Sequence, residues 1–265
     1  MKFFRVPLSQ ESDKVYLDAY IADEIGGFTR KAIVVIPGGG YGKVCSDREG
    51  EPIAMAFMPY GYNAFVLHYS VGGATFPTQL IELSRAIKYV KDNADELNID
   101  PENIFTVGFS AGGHLSASAG VLWKNSNVQA AIDAPYGYTK PKGTMLIYPV
   151  INGEYHCHSF VNLLGKSEIS ESDKDTVSID RNIDADSSPA FILHTANDRV
   201  VDVRNSIEAA HAYADAGVSF EMHIYPDSPH GVALGNEITG SNPDWIRPNI
   251  AEWIRMAAYW ADNLK

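Results

Sequence analysis

Cysteine is scarce: the chain has only Cys45 and Cys157 among 265 residues. Two widely spaced cysteines make no disulfide framework, so an ordinary core must hold the fold. Basic charge is short as well. There are 33 acidic residues against 21 basic ones, a formal net charge of −12. Nucleic acid and anionic membranes both demand basic patches, so neither is expected as a partner. No run approaches the ~18 apolar residues of a membrane span. The opening MKFFRVPLSQ has no apolar h-region and no cleavage-site pattern. A reducing cytoplasm is therefore the expected compartment. Internal repeats and low-complexity tracts are absent too.

What is present is a hydrophobic content of 45%, enough for a core of ordinary size. The length suits one large α/β domain, expected here over 1–265. KVYLDAYIA (14–22) alternates with period two, as a half-exposed edge strand does. AIVVIP (32–37), AFVLHY (64–69), IFTVGF (104–109), TMLIYPV (144–150), AFILHTA (190–196) and FEMHIY (220–225) are short runs, mostly apolar. Such runs predict strands buried on both faces, the mark of a parallel sheet.

Helical patterns lie between them. Over 78–94, Leu80, Leu83, Ile87 and Val90 share a face, with Glu82, Arg85, Lys88 and Lys91 mostly opposite. The stretch 202–217 starts at Asp202, which suits a helix cap, and stops at Gly217. Residues 248–264 have Pro248 in the first turn and a helical apolar stripe. SDRE (46–49) has capping-box spacing before a further helix. This alternation predicts a sheet covered by helices on both faces. Residues 152–188 break the rhythm and carry the acidic run SEISESDKD. They are expected to form a lid or loop-helix excursion over the site, or else a solvated insert.

GFSAGG (108–113) holds Gly-x-Ser-x-Gly between a strand and a helix-like stretch, the context of a nucleophile elbow. Neighbours of the serine must be small because the turn is tight. Ser110 is thus the candidate nucleophile. A serine hydroxyl needs a base beside it, and eight histidines compete. His68, His194 and His223 lie within strand patterns and His211 within a helix. His114, on the helix after Ser110, suits packing or support. His156 and His158 have no evident third ligand for a metal. His230, in the turn-rich YPDSPHGVALG just past the last strand, is the candidate base. Asp198 follows the strand 190–196 and suits the third position. Asp202 is its competitor, with the helix cap as its other explanation. The order Ser110, Asp198, His230 is that of α/β-hydrolases.

The triple glycine of VIPGGGYGK (35–43) also falls at the carboxyl edge of a strand. A phosphate loop would need Ser or Thr after Lys43, where Val44 stands, and a dinucleotide fingerprint would need a third spaced glycine. Two readings are left: a plain turn, or backbone N–H donors that join the N–H of Ala111 around an oxyanion.

With IPGGGY, GYNAFVLHYSVG, LNIDPENIFTVGFSAGGHLSA, FILHTANDRVVDV and SPHGV in this order, the chain resembles the α/β-hydrolase esterases with an HGGG-type motif. Within them it is similar to the small acetyl-esterase group related to acetyl xylan esterases. The resemblance implies an α/β-hydrolase fold with a mostly parallel sheet of about eight strands. It implies Ser110, Asp198 and His230 as triad, and the amides of Gly39, Gly40 and Ala111 as oxyanion hole. It also implies small-molecule ester substrates, short acyl esters and sugar acetates in particular, with no metal or cofactor. Pro37 stands where lipase-type members have the His of HGGG, which puts the loop's anchoring in question. A serine peptidase of the prolyl-oligopeptidase type shares these motifs, but such enzymes usually carry a propeller ahead of the hydrolase domain, and the stretch before Ala32 is too short for one. A non-catalytic binding protein on the same fold is the third reading. Trp245, Trp253 and Trp260 are expected in the core; exposed aromatics near them or in 152–188 would mark the face of a homo-oligomer.

Overall fold

Val34, Val35, Phe65, Val107 and Ile192 are sealed from solvent, each within a short apolar strand. Strands this apolar are stable only between two layers, and the computed structural model, which describes residues 1–10 and 12–264, has that arrangement. Eight strands form one sheet: β1 (Lys2–Pro7), β2 (Tyr16–Ile21), β3 (Arg30–Ile36), β4 (Tyr62–His68), β5 (Ile99–Phe109), β6 (Gly143–Ile147), β7 (Ala190–Thr195) and β8 (Phe220–Tyr225). Their order is β1-β2-β4-β3-β5-β6-β7-β8. β1, β2 and β4 pair antiparallel, and every pair from β4 to β8 is parallel.

The helices are α1 (Ser46–Glu49), α2 (Glu51–Phe57), α3 (Thr78–Asp92), α4 (Ala111–Val121), α5 (Ser126–Ala131), α6 (His158–Leu164), α7 (Glu171–Val177), α8 (Arg204–Asp215), α9 (Pro248–Ala251) and α10 (Trp253–Asp262). They supply two large apolar layers. Leu80, Leu83, Ile87 and Val90 of α3 pack with Val34 and Phe65 on one side. Phe57 of α2 and Trp253, Ala257 and Trp260 of α10 pack with Val35, Phe105 and Phe109 on the other. Each such side chain fully buried contributes about 1.5–3 kcal/mol. The indole of Trp253 meets Phe57 and Phe109 edge-on, at centroid distances of 5.9 and 6.0 Å.

Six expectations are corrected. The 14–22 strand is not an edge: β2 lies between β1 and β4, and β1 is the edge, with the alternating exposure an edge strand shows. β8 is the opposite edge and only half-buried, so FEMHIY is not covered on both faces. Glu82, read as solvent-facing on α3, is buried and accepts the Ser70 N–H at 2.8 Å. SDRE forms no capping box; it is itself the short helix α1, without a side-chain cap. The C-terminal helical stretch divides into α9 and α10 at Glu252. Trp253 and Trp260 are core as expected, whereas Trp245 is only half-buried.

Because β3 to β8 run parallel, all their carboxyl ends open on one edge. The loops after β3, β5, β7 and β8 therefore converge there, and they carry the triple glycine, Ser110, Asp198 and His230.

Candidate active site

Ser110 sits between β5 and α4 with φ 54° and ψ −118°, a conformation rare for a residue with a side chain. Its glycine neighbours make that possible. A Cβ on Gly108 would stand 2.0 Å from the Gly112 carbonyl oxygen, and one on Gly112 would stand 2.2 Å from that of Ile36. The turn is pinned on both sides: the Ser110 N–H donates to Ile147 O at 3.0 Å, and the Val150 N–H donates to Ser110 O at 3.0 Å.

The histidine and aspartate selected from sequence meet this serine. His230 Nε2 lies 2.9 Å from Ser110 Oγ, and His230 Nδ1 lies 2.6 Å from Asp198 Oδ2. A carboxylate can only accept, so Nδ1 carries the proton and Nε2 is free to accept from the serine hydroxyl. The other Asp198 oxygen takes the N–H groups of Val200 and Val201 at 2.8 and 3.0 Å. Burial pushes the Asp198 carboxyl up, but His194, His230 and the Val200 N–H outweigh it and hold the group well below the usual carboxylate range. Asp202 is elsewhere: its Oδ1 accepts the N–H of Arg204, the first residue of α8.

The glycine loop approaches from β3. Gly39 and Gly40 have φ of 130° and 63° and line a cavity of about 250 Å³ together with Ser110 and His230. Neither of their N–H groups donates to another group among the described residues. Ala111, which opens α4, is fully buried beside them. With Pro37 in place of a histidine, the loop is anchored by other residues. Tyr69 Oη donates to Pro37 O at 2.7 Å, the Cys45 N–H donates to Gly38 O at 2.9 Å, and Asn162 Nδ2 donates to Gly40 O at 2.7 Å.

Two buried networks tie the loops together. Glu49 accepts the Gly38 N–H at 2.8 Å on one oxygen and the Tyr148 hydroxyl at 3.0 Å on the other. That hydroxyl in turn accepts the Ala233 N–H at 3.1 Å, and the Tyr148 ring stands edge-on to His230 at 5.0 Å. Burial pushes the Glu49 carboxyl above its ordinary value, against the pull of Gly38, Arg48 and Tyr148. Second, His114 Nε2 donates to Val177 O at 2.8 Å, which leaves Nδ1 to accept the Tyr41 hydroxyl at 2.7 Å. Burial lowers the His114 pKa to about 4, so the ring is neutral as this bonding requires. The glycine loop is thereby joined to α7.

A family model described as BD-FAE matches residues 17–213. The chain belongs to that family. Among solved structures it is similar to the acetyl ester-xyloside bifunctional hydrolase of Caldicellulosiruptor lactoaceticus, with 31% identity and a TM-score of 0.84 over 98% of this chain and 95% of that one. Among curated proteins it is similar to endo-1,4-beta-xylanase B of Butyrivibrio fibrisolvens, 33% identical over 89% of this chain. It is also similar to the acetylxylan esterase of Xylanibacter ruminicola, 29% identical over 96% of this chain. The chain spans 39% and 50% of the length of these two curated relatives.

In this BD-FAE chain the three candidate residues Ser110, His230 and Asp198 come together, and the groups that support them are what sequence reasoning missed. His194 was read as a sheet residue; it is one, at the end of β7, yet its Nε2 lies 3.4 Å from Asp198 Oδ2. Glu49, within the capping-box pattern SDRE, and Tyr148, within the strand pattern 144–150, instead bond each other beneath the glycine loop. The one available signal was position, since Tyr148 and His194 both stand where strands reach the carboxyl edge. Among the described residues, no three His, Cys, Asp or Glu side chains are grouped to hold a metal, His156 and His158 included. His156 instead lies 2.9 Å from Ser159 Oγ, and with His158 and Ser159 it lines the cavity over Ser110. The 152–188 segment thus forms α6 and α7 and reaches the site through these residues and Asn162. No helix among the described residues is long and apolar enough to cross a membrane.

Proposed function

We propose that the protein is a serine carboxylic-ester hydrolase for short acyl esters, acetyl groups on sugars or xylo-oligosaccharides in particular, working through an acyl-enzyme on Ser110. The observation that carries this is the unbroken chain Ser110 Oγ–His230–Asp198 at 2.9 and 2.6 Å beneath a small polar cavity. His230 takes the proton of Ser110 as the oxygen attacks the ester carbonyl. Asp198, ionised, stabilises the imidazolium that results. The N–H groups of Gly39, Gly40 and Ala111 donate to the tetrahedral oxyanion, where each such donor contributes about 3 kcal/mol of barrier lowering. His230 then protonates the leaving alcohol, and water repeats the sequence on the acyl-enzyme.

A cavity of about 250 Å³ lined by Lys43, Arg48, His156, His158 and Ser159 suits a small acyl group on a polar alcohol better than a lipid chain. The relatives' names, which speak of acetylxylan and acetyl ester-xyloside hydrolysis, point the same way. No observation favours the peptidase reading, and the intact triad weighs against a silent binding protein. Turnover of p-nitrophenyl acetate tests the proposal: Ser110→Ala is expected to reduce kcat by about 10³-fold or more, and undiminished activity would refute it. We also place the protein in the cytoplasm, because its exposed Cys157 and buried Cys45 are both unpaired thiols. Cell fractionation checks this, and recovery outside the cytoplasm would reject it.

A further inference from the structure

Arg48 lines the cavity over Ser110, yet its guanidinium makes no hydrogen bond among the described residues. The nearest carboxylates, Asp47 and Glu49, stay 3.9 Å away. Glu49 has both oxygens engaged already, by Gly38 and Tyr148. Arg48 Nε is buried with no hydrogen-bond partner, 3.9 Å from Glu49 Oε1. Lys43 lines the same cavity and Arg199 an adjoining one of about 510 Å³, and neither side chain has a hydrogen bond or ion pair among the described residues.

In a chain with a net charge of −12, Lys43 and Arg199 have no carboxylate partner among the described residues, and Arg48 has only its two contacts at 3.9 Å. Other cations are held closely: Arg181 meets Glu154, Glu171 and Asp175, and Lys124 meets Asp184 and Asp186. The carboxylates on the second cavity, Asp227 and Asp244, make no hydrogen bond or ion pair with any of the three among the described residues. The Arg48 side chain, 32% exposed where it lines the cavity, keeps donors to offer a ligand beside the reacting group.

Arg48 also has a partner for a sugar ring beside it. Its guanidinium carbon lies 5.6 Å from the centroid of the half-buried Trp245 ring, which lines the second cavity. A Cβ on Gly231 would touch Arg48 Nη2 and the Trp245 ring at 3.4 Å each. Gly231 follows His230, the group that protonates the leaving alcohol on the esterase reading, and His230 and Val200 line both cavities. The alcohol half of an ester held at Ser110 would therefore meet this pair. An indole offers a flat apolar face with a polar edge, and a guanidinium matches a carboxylate with two parallel hydrogen bonds.

We propose that Arg48 and Trp245 form a subsite for the alcohol half of the ester, and that this half is a saccharide bearing a carboxylate, a uronosyl sugar, which Arg48 receives. Lys43 and Arg199 add attraction over a longer range, which salt screens. The inference rests on the esterase reading and sharpens it.

Steady-state kinetics with wild-type protein compare an acetylated neutral xylo-oligosaccharide with the same oligosaccharide carrying a uronic acid. The uronate form is expected to have the higher kcat/KM by about tenfold or more, the scale of one charge-assisted pair. That preference should shrink in about 0.5 M NaCl. Arg48→Gln is expected to remove it, chiefly through KM, and Arg48→Lys to retain part of it. Equal kcat/KM for the two substrates in wild type overturns the inference and leaves the esterase reading intact, since both are still hydrolysed. Failure to hydrolyse either of them or p-nitrophenyl acetate sinks the esterase reading and the inference with it. A full preference in a folded Arg48→Gln, checked by circular dichroism, overturns the assignment to Arg48.

Discussion

The serine turn and the glycine loop face the same cavity but are built differently. The turn around Ser110 gets its room from two glycines packed against backbone: a Cβ on Gly108 would meet the Gly112 carbonyl, and one on Gly112 would meet the Ile36 carbonyl of β3. The loop at Gly38–Gly40 gets its shape from far away. Tyr69, Glu49, Asn162 and the Tyr41–His114 pair hold it, and Tyr148 steadies Glu49. A motif whose glycines lie against backbone tolerates no side chain there. A motif that borrows its anchors replaces one, such as the missing histidine, without losing its place.

If that contrast is right, damage to the turn should cost folding, and damage to the loop anchors should cost activity first. The largest effect is expected from Gly112→Ala, whose Cβ would stand 2.2 Å from the Ile36 carbonyl oxygen. Backbone must shift there, so a loss of about 4 kcal/mol or more is expected. Chemical denaturation measures it, and a near-wild-type midpoint would undo the claim that the turn is sterically fixed.

Next comes acid. An unfolded His binds its proton near pH 6.5, while His114 in the native chain resists until about 4. The unfolded state thus holds more protons in that window, so stability is full above it and falls as pH drops through it. The shift is equivalent to about 3 kcal/mol. Urea unfolding between pH 7 and 4 should show this slope in wild type and a shallower one in His114→Gln; identical slopes would count against it.

Glu49→Ala is expected to sit third. It frees the Gly38 N–H and the Tyr148 hydroxyl inside the core, a loss of about 2 kcal/mol. Turnover should fall about 10- to 100-fold as the oxyanion donors lose their support. Fluorophosphonate labelling of Ser110 should persist, which separates a loosened loop from a broken triad. Tyr69→Phe removes one donor from Pro37 O and should be smallest, about 1 kcal/mol in stability with a several-fold drop in kcat. A Tyr69→Phe effect larger than that of Glu49→Ala would reverse the ranking of the anchors.

The same division explains what could be read in advance. Ser110, Asp198 and His230 were legible because each follows a short apolar strand, and strands in a parallel sheet all end on one edge. Asp202 was separable from Asp198 because it stands where α8 begins. β2 was misplaced because period-two alternation reports a half-buried strand but not who its neighbours are; β1 takes the edge instead. Glu49, Tyr148 and His194 were illegible as site residues. Their partners are between 4 and 99 positions away, and spacing along the chain carries no sign of them.

The order of apolar strands and amphipathic helices, with glycines at two strand ends, settled the sheet, its working edge and the three residues that meet there. Those features are local: periodicity, steric room and chain order. How the glycine loop is held without a histidine, and which cations at its mouth are left without hydrogen bonds, depended on the packed structure. Such contacts join residues that only burial brings within hydrogen-bond reach, and a buried polar group takes whichever partner the packing offers.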